Sequence, residues 1–180
     1  MSSFAWRTTH YPTLDAYKAA LLPFAKPAWI SALTIHHTYR PTIGQWRGKR
    51  SMDALERYYR DVQHWPAGPH LFLAVGSPSR ADDGIWAGTP LADRGVHAGN
   101  CNSNHIGLEI VGDYDLAPWS PALAEQVYGL AVLLCRWGGF GPDRVHGHRE
   151  CNSPKTCPGA AISMYQVRLE IRRRLMGLAG

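Results

Sequence analysis

Residues 32–38 read Ala32-Leu33-Thr34-Ile35-His36-His37-Thr38, an apolar run, too short for an independent helix, that reads as a buried strand. Neighbouring residues of a strand face opposite sides, so His36 and His37 cannot share a role on one face. Working outward, residues 105–111 (HIGLEIV) and about 70–76, after the turn Pro66-Ala67-Gly68-Pro69, read as further strands, with a short one near 144–147. Asp82-Asp83-Gly84 followed by Ile85-Trp86-Ala87 marks a hairpin return. Helices fall between them. One covers about 13–24 with Thr13 as its N-cap, and one covers 52–64 with Ser51 as its N-cap. A third covers 121–137, capped by Ser120, with Pro121 at its first position and Gly138-Gly139 as its stop. A last helix at about 160–176 becomes basic at Arg168 and Arg172-Arg173-Arg174. Strands mixed with helices in this order predict an α/β fold: a mixed central β-sheet flanked by helices, in a single domain.

Composition sets the outer limits. At 180 residues, 45% hydrophobic and with seven Trp, the chain can bury a core of its own. A net charge of +5 favours an anionic partner: nucleic acid, anionic lipid or an acidic polymer. The opening MSSFAWRTTHYPTLDAY lacks the basic start and apolar core of a secretory signal, so synthesis in the cytoplasm is expected. Four cysteines without a signal do not read as a disulfide framework, and a Cys101–Cys151 bridge is not expected in a reducing cytosol.

The chemistry concentrates in residues 146–159, HGHRECNSPKTCPG. His148 and Cys157 stand nine residues apart in a turn-rich loop, and two such borderline-soft ligands suit zinc. His36 is the candidate third ligand, against the commoner reading of a hydrogen-bonded core histidine; Cys151 is a rival. Two His and one Cys would leave a fourth tetrahedral position for water, the mark of a catalytic rather than a structural site. Lys155 would bring a positive charge to the same place. Glu109 falls on the strand face opposite Ile106, Leu108 and Ile110. A carboxylate so placed needs a partner, either an Arg or a cleft in which burial raises its pKa towards a general base's range. His97 sits in a loop that is either a surface turn or a ligand contact. The aromatics Trp46, Tyr58, Tyr59, Trp65 and Trp86 could stack on sugar rings or fill core and rim. No four-ligand finger spacing is present, so a nucleic-acid partner is not expected.

Four segments together, TIHHTYRP, GVHAGNCNSNHIGLEIVGDYD, GHRE and KTCPG, resemble the type 2 N-acetylmuramoyl-L-alanine amidases, a superfamily that includes phage lysozyme-amidases, muropeptide-recycling amidases and animal peptidoglycan recognition proteins. The likeness runs from about residue 30 to 165. It implies one zinc ion held by His36, His148 and Cys157, with Lys155 stabilising an oxyanion and Glu109 as the catalytic carboxylate. It also implies substrate contacts from His97, Tyr39, Trp46 and Asn102. The implied reaction is hydrolysis of the amide between the lactyl group of N-acetylmuramic acid and L-alanine, in peptidoglycan or a muropeptide, by a monomer. A lytic endolysin is the expected role, acting on the cell wall, with the basic C-terminal helix touching an anionic envelope. The alternatives are a cytoplasmic recycling amidase and a non-catalytic binding module. The chain departs from the pattern at Gly68-Pro69-His70, where many relatives carry Gly-Tyr, so Pro69 shifts the burden to Glu109. The His148-to-Cys157 spacing is also one residue longer than in many relatives, which predicts a bulge near Asn152-Ser153-Pro154.

Overall fold

The computed structural model describes residues 4–151 and 154–178, so Asn152 and Ser153 of the expected bulge lie outside the described residues. Ten elements follow in chain order: β1 (Thr9–Tyr11), α1 (Leu14–Leu21), β2 (Ala32–His37), α2 (Lys49–Arg57), β3 (Leu71–Ala74), β4 (Gly84–Ala87), β5 (His105–Ile110), α3 (Pro121–Gly138), β6 (Val145–Gly147) and α4 (Met164–Leu175). The strands form one sheet in the order β1-β4-β3-β5-β2-β6. β3, β5, β2 and β6 run parallel, whereas β4 returns antiparallel to β3 and pairs antiparallel with β1. The fold is therefore the mixed α/β sheet that the sequence predicts.

Strand alternation divides the sheet into two faces. Leu33, Ile35, Leu71, Leu73, Ile106, Leu108 and Ile110 point to one side, where α1, α3 and α4 cover them. α3 contributes Leu123, Val127, Leu130, Ala131 and Leu134 at helical spacing. Each buried Leu or Val among them contributes roughly 1.5–3 kcal/mol, an upper figure against a realistic unfolded chain. Ser120 accepts from the Leu123 amide at its start, Pro121 needs no partner for a missing N–H, and Gly139 at φ 67° ends it in the left-handed region. The opposite face carries Phe72, Ala74, Trp86 and Val111, packed against Trp46, Met52, Leu55 and Tyr59 around α2.

Several expectations need correction. α2 starts at Lys49, not 52, and its N-cap is Gly48 at φ 50°, where a Cβ would collide with the Asp82 carboxylate. Ser51 instead accepts from the Arg47 amide. α2 also stops at Arg57 and continues as a π turn over Tyr58–Val62. α4 begins at Met164, capped by Ser163, because the chain after Pro158-Gly159 first bonds to the Tyr114 carbonyl through Ala161. The arginines of α4 are occupied within the molecule: Arg168 pairs with Glu150, Arg172 with Asp143, and Arg174 with Glu125 and Glu170. That end of the helix is a set of clasps as much as a basic surface. Cys101 and Cys151 form a disulfide across 50 positions of sequence. A reducing cytosol disfavours such a bond, but the fold brings the two loops together.

Candidate metal centre and cleft

β2 and β5 are hydrogen-bonded in parallel with His36 directly beside Glu109. Both side chains therefore leave the same face, near the carboxyl ends of the parallel strands, where open α/β sheets place their ligand sites. β6 flanks β2 on its other side and ends at Gly147, so the next residue, His148, emerges at the same level. The loop then carries Cys157 back over the strand ends. Its closure depends on Arg149, which sequence reasoning passed over. The Arg149 amide donates to the Cys157 carbonyl at 2.9 Å, and its guanidinium donates to the carbonyls of Thr156, Gly159 and Ile162. Its signal was available: a cation directly after a candidate ligand, in a loop short of its own backbone bonds.

The structure brings His36, His148 and Cys157 together, with one ligand atom of each within 4.8 Å of the others. His36 Nδ1 lies 3.7 Å from Cys157 Sγ, and the His36 and His148 rings are 4.6 Å apart. Cys151 is removed as a rival by its disulfide. Behind His36, its Nε2 is 3.0 Å from His97 Nδ1, and His97 Nε2 is 3.3 Å from the His105 carbonyl. That carbonyl can only accept, so His97 Nε2 carries a proton, His97 Nδ1 accepts from His36 Nε2–H, and His36 Nδ1 is left with a free lone pair facing the cluster. An orienting hydrogen bond on the far nitrogen is the usual support of a metal-ligating histidine.

Glu109 Oε1 stands 3.8 Å from His36 Nδ1, while its buried Oε2 has no hydrogen-bond partner among the described residues. Burial pushes the Glu109 carboxyl up to about 8, against a downward pull from Lys155. Burial also pushes the Cys157 thiol up to about 12, with the Glu109 charge adding to it. His148 falls to about 4 through burial and then Lys155, and His36 falls well below its ordinary value through burial and then His97. These directions share one cause. Two groups that should be anions are buried with too little positive charge, and two imidazoles are held neutral. A divalent cation among the same atoms would reverse the penalty on the carboxylate and the thiolate and use both imidazole lone pairs. The donor set His, His, Cys therefore fits zinc.

The remaining candidates separate. The cluster opens into a cleft of about 720 Å³ lined by Lys155, Thr156, Tyr39 and Arg40, and by Tyr58, Tyr59 and Trp65. Tyr39 is 52% exposed at the rim, held at φ 56°. Trp46 is 0% exposed and its indole N–H donates to the Asp82 carbonyl, so it is a core residue and not a substrate contact. Asn102 is not part of the cleft wall either; its Oδ1 accepts from the amides of His97 and Ala98. His97, read as a substrate contact, lines the cleft and also stands behind His36 as its hydrogen-bond partner. Trp86 belongs to the core.

Comparison with known proteins identifies the family of the chain. Residues 26–160 match the protein family described as N-acetylmuramoyl-L-alanine amidase. A human N-acetylmuramoyl-L-alanine amidase is 33% identical over 135 residues, covering 72% of this chain but only 22% of that protein, so the chain spans about a fifth of its length. Peptidoglycan-recognition protein SC1a of Drosophila melanogaster is 25% identical over 138 residues, covering 74% of this chain and 70% of the other. Among solved structures, bumblebee PGRP-SA superposes with a TM-score of 0.63 at 18% identity, covering 81% of this chain and 84% of that one. The endolysin amidase LysCS of Clostridium intestinale superposes with a TM-score of 0.60 at 17% identity, covering 82% and 90%. At such identities the structural likeness establishes the fold alone.

Proposed function

The chain belongs to the N-acetylmuramoyl-L-alanine amidase family, and from that premise we propose that it is a zinc-dependent hydrolase of the amide between the lactyl group of N-acetylmuramic acid and L-alanine. The observation that carries this reading is the convergence of His36, His148 and Cys157 beside a buried carboxylate whose Oε2 has no partner. His36 Nδ1, the His148 ring and the Cys157 sulfur would hold the ion. When bound, zinc supplies Lewis acidity and lowers the pKa of water towards 7.

The protein's own groups do the rest. Glu109 takes a proton from the attacking water and passes it to the departing nitrogen. The water oxygen bonds to the carbonyl carbon, the C–N bond breaks, and the products are a lactyl carboxylate and a peptide beginning with L-alanine. Lys155 faces the same space and stabilises the oxygen on which negative charge builds. His97 keeps His36 in the orientation and tautomer the site needs.

Within this reading the enzyme is lytic and works on the intact wall, where its positive charge meets an acidic polymer. A recycling amidase would prefer soluble fragments. Purified protein is expected to release new amino termini from peptidoglycan, to lose this on chelation and to regain it with zinc. Tight binding to peptidoglycan with no release at any zinc level would sink the enzymatic reading and leave a recognition module.

A further inference from the structure

Tyr59 lies outside the four motif segments, yet its side chain lines the same cleft as His36, Glu109 and Cys157. A change in helix geometry puts it there. α2 is regular to Arg57 and then widens into the π turn Tyr58–Val62. Such short π segments recur at functional sites. The two tyrosines part company in it: Tyr58 is 46% exposed and Tyr59 8%. His64, held at φ 53°, reverses the chain so that the Trp65 amide donates to the Tyr59 carbonyl at 3.0 Å. The Trp65 ring then stacks on the Tyr59 ring at 5.5 Å and 11°. Trp6 packs at 5.9 Å, and the flat side of Gly68 abuts the ring edge, where a Cβ would come within 2.8 Å of Tyr59 Cδ2.

The ring is thus clamped by neighbours that would hold a phenylalanine equally well. The hydroxyl needs a separate account. The Tyr59 side chain lines the same cleft as Glu109, whose buried Oε2 has no hydrogen-bond partner among the described residues, and the phenol lies close enough to Glu109 to feel its charge. Pro69, on the same wall, offers no donor. Burial holds the phenol protonated, with the Glu109 charge as the next cause, so it stays a donor.

We propose that Tyr59 is a catalytic residue, its hydroxyl donating a hydrogen bond to the carbonyl oxygen of the scissile amide as charge builds there. The inference rests on the amidase reading above. No proton is transferred: the bond strengthens as the carbonyl carbon becomes tetrahedral and weakens as the C–N bond breaks.

The test is Tyr59→Phe, which keeps the clamped ring. Soluble disaccharide-peptide fragments of peptidoglycan serve as substrate, and a phosphinate isostere of the amide serves as a tetrahedral, anionic probe. The expected result is a kcat about 10- to 100-fold lower with KM within about twofold. Affinity for the phosphinate should fall by a similar factor, while zinc content and melting temperature match the wild type. A variant that keeps both kcat and phosphinate affinity within about threefold, or that loses only KM, makes Tyr59 a packing wall and overturns the proposal. The wild-type assay separates the two levels. If the wild type releases no L-alanyl amino termini, the amidase reading itself fails and the role falls with it, whereas full turnover by Tyr59→Phe removes the phenol alone.

Discussion

Three side chains at the strand ends carry separable predictions. Cys157 is the only anionic donor in the cluster of His36, His148 and Cys157, and a serine hydroxyl does not ionise in its place. Cys157→Ser is expected to abolish both zinc binding and hydrolysis, and full zinc occupancy by elemental analysis would refute the ligand assignment. In the proposed mechanism Glu109 acts on water and not on the ion. Glu109→Gln should therefore keep its zinc and lose about 100- to 10,000-fold in turnover, the usual cost of losing a general base. A rate within a few-fold of wild type takes Glu109 out of the mechanism. In the same proposal His97 acts through His36, to which it is hydrogen-bonded. Removing its ring in His97→Ala leaves the His36 Nε2–H without its acceptor and is expected to weaken zinc about 10- to 100-fold by competition with a chelating dye. Unchanged affinity would mean that the strand alone orients His36. The sequence pattern could place Glu109 on its face, because strand alternation needs only neighbours. It could not show that His97 would stand behind His36, since that contact joins a loop to a strand 61 positions away.

At the level of elements, the long periodic segments were readable and the short or strained ones were not. α3 carries cap, proline, apolar stripe and glycine stop in one stretch, and the strands β2 and β5 are apolar enough to be read directly. β1 has three residues and no period to detect; pairing with β4 alone makes it a strand. The cap at Gly48 and the π turn after Arg57 follow from close tertiary neighbours, which local propensity does not see. Trp46 was misplaced for a related reason: an aromatic in a Gly-rich basic loop looks like a rim residue until Asp82 supplies a partner for its indole. The Cys101–Cys151 bridge is the element-scale feature with most consequence, because it joins the loop holding His97 and Asn102 to the loop running from His148 to Cys157. Closing a segment of 50 residues should contribute about 2–4 kcal/mol. The double variant Cys101→Ser, Cys151→Ser is expected to melt lower by that amount and to bind zinc less tightly than wild type. A melting curve that coincides with wild type under oxidising conditions would show that the bridge contributes nothing to the fold.

Across the whole molecule, the division of labour follows from the sheet. One face is closed by α1, α3 and α4 and supplies most of the apolar burial, while α2 covers only part of the other and leaves the carboxyl ends of β2 and β5 open to the cleft. The helices packed on the closed face fix the strands β2 and β5, and His36 and Glu109 project from the other side of those strands into the cleft. Charge is distributed differently. The net charge of +5 belongs to the whole chain, since Arg168, Arg172 and Arg174 are tied into internal pairs and α4 offers no free row of arginines. Any attraction to an acidic wall is therefore diffuse, and a diffuse attraction is screened within a Debye length, about 8 Å at physiological ionic strength. KM for intact sacculi is accordingly expected to rise as salt increases, with kcat little changed. Hydrolysis of small soluble fragments, which meet the cleft without a charged surface around them, should respond much less. A parallel salt response on both substrates would place the effect inside the cleft, at Lys155 or Arg40, and would remove the molecule's overall charge as a factor in finding the wall.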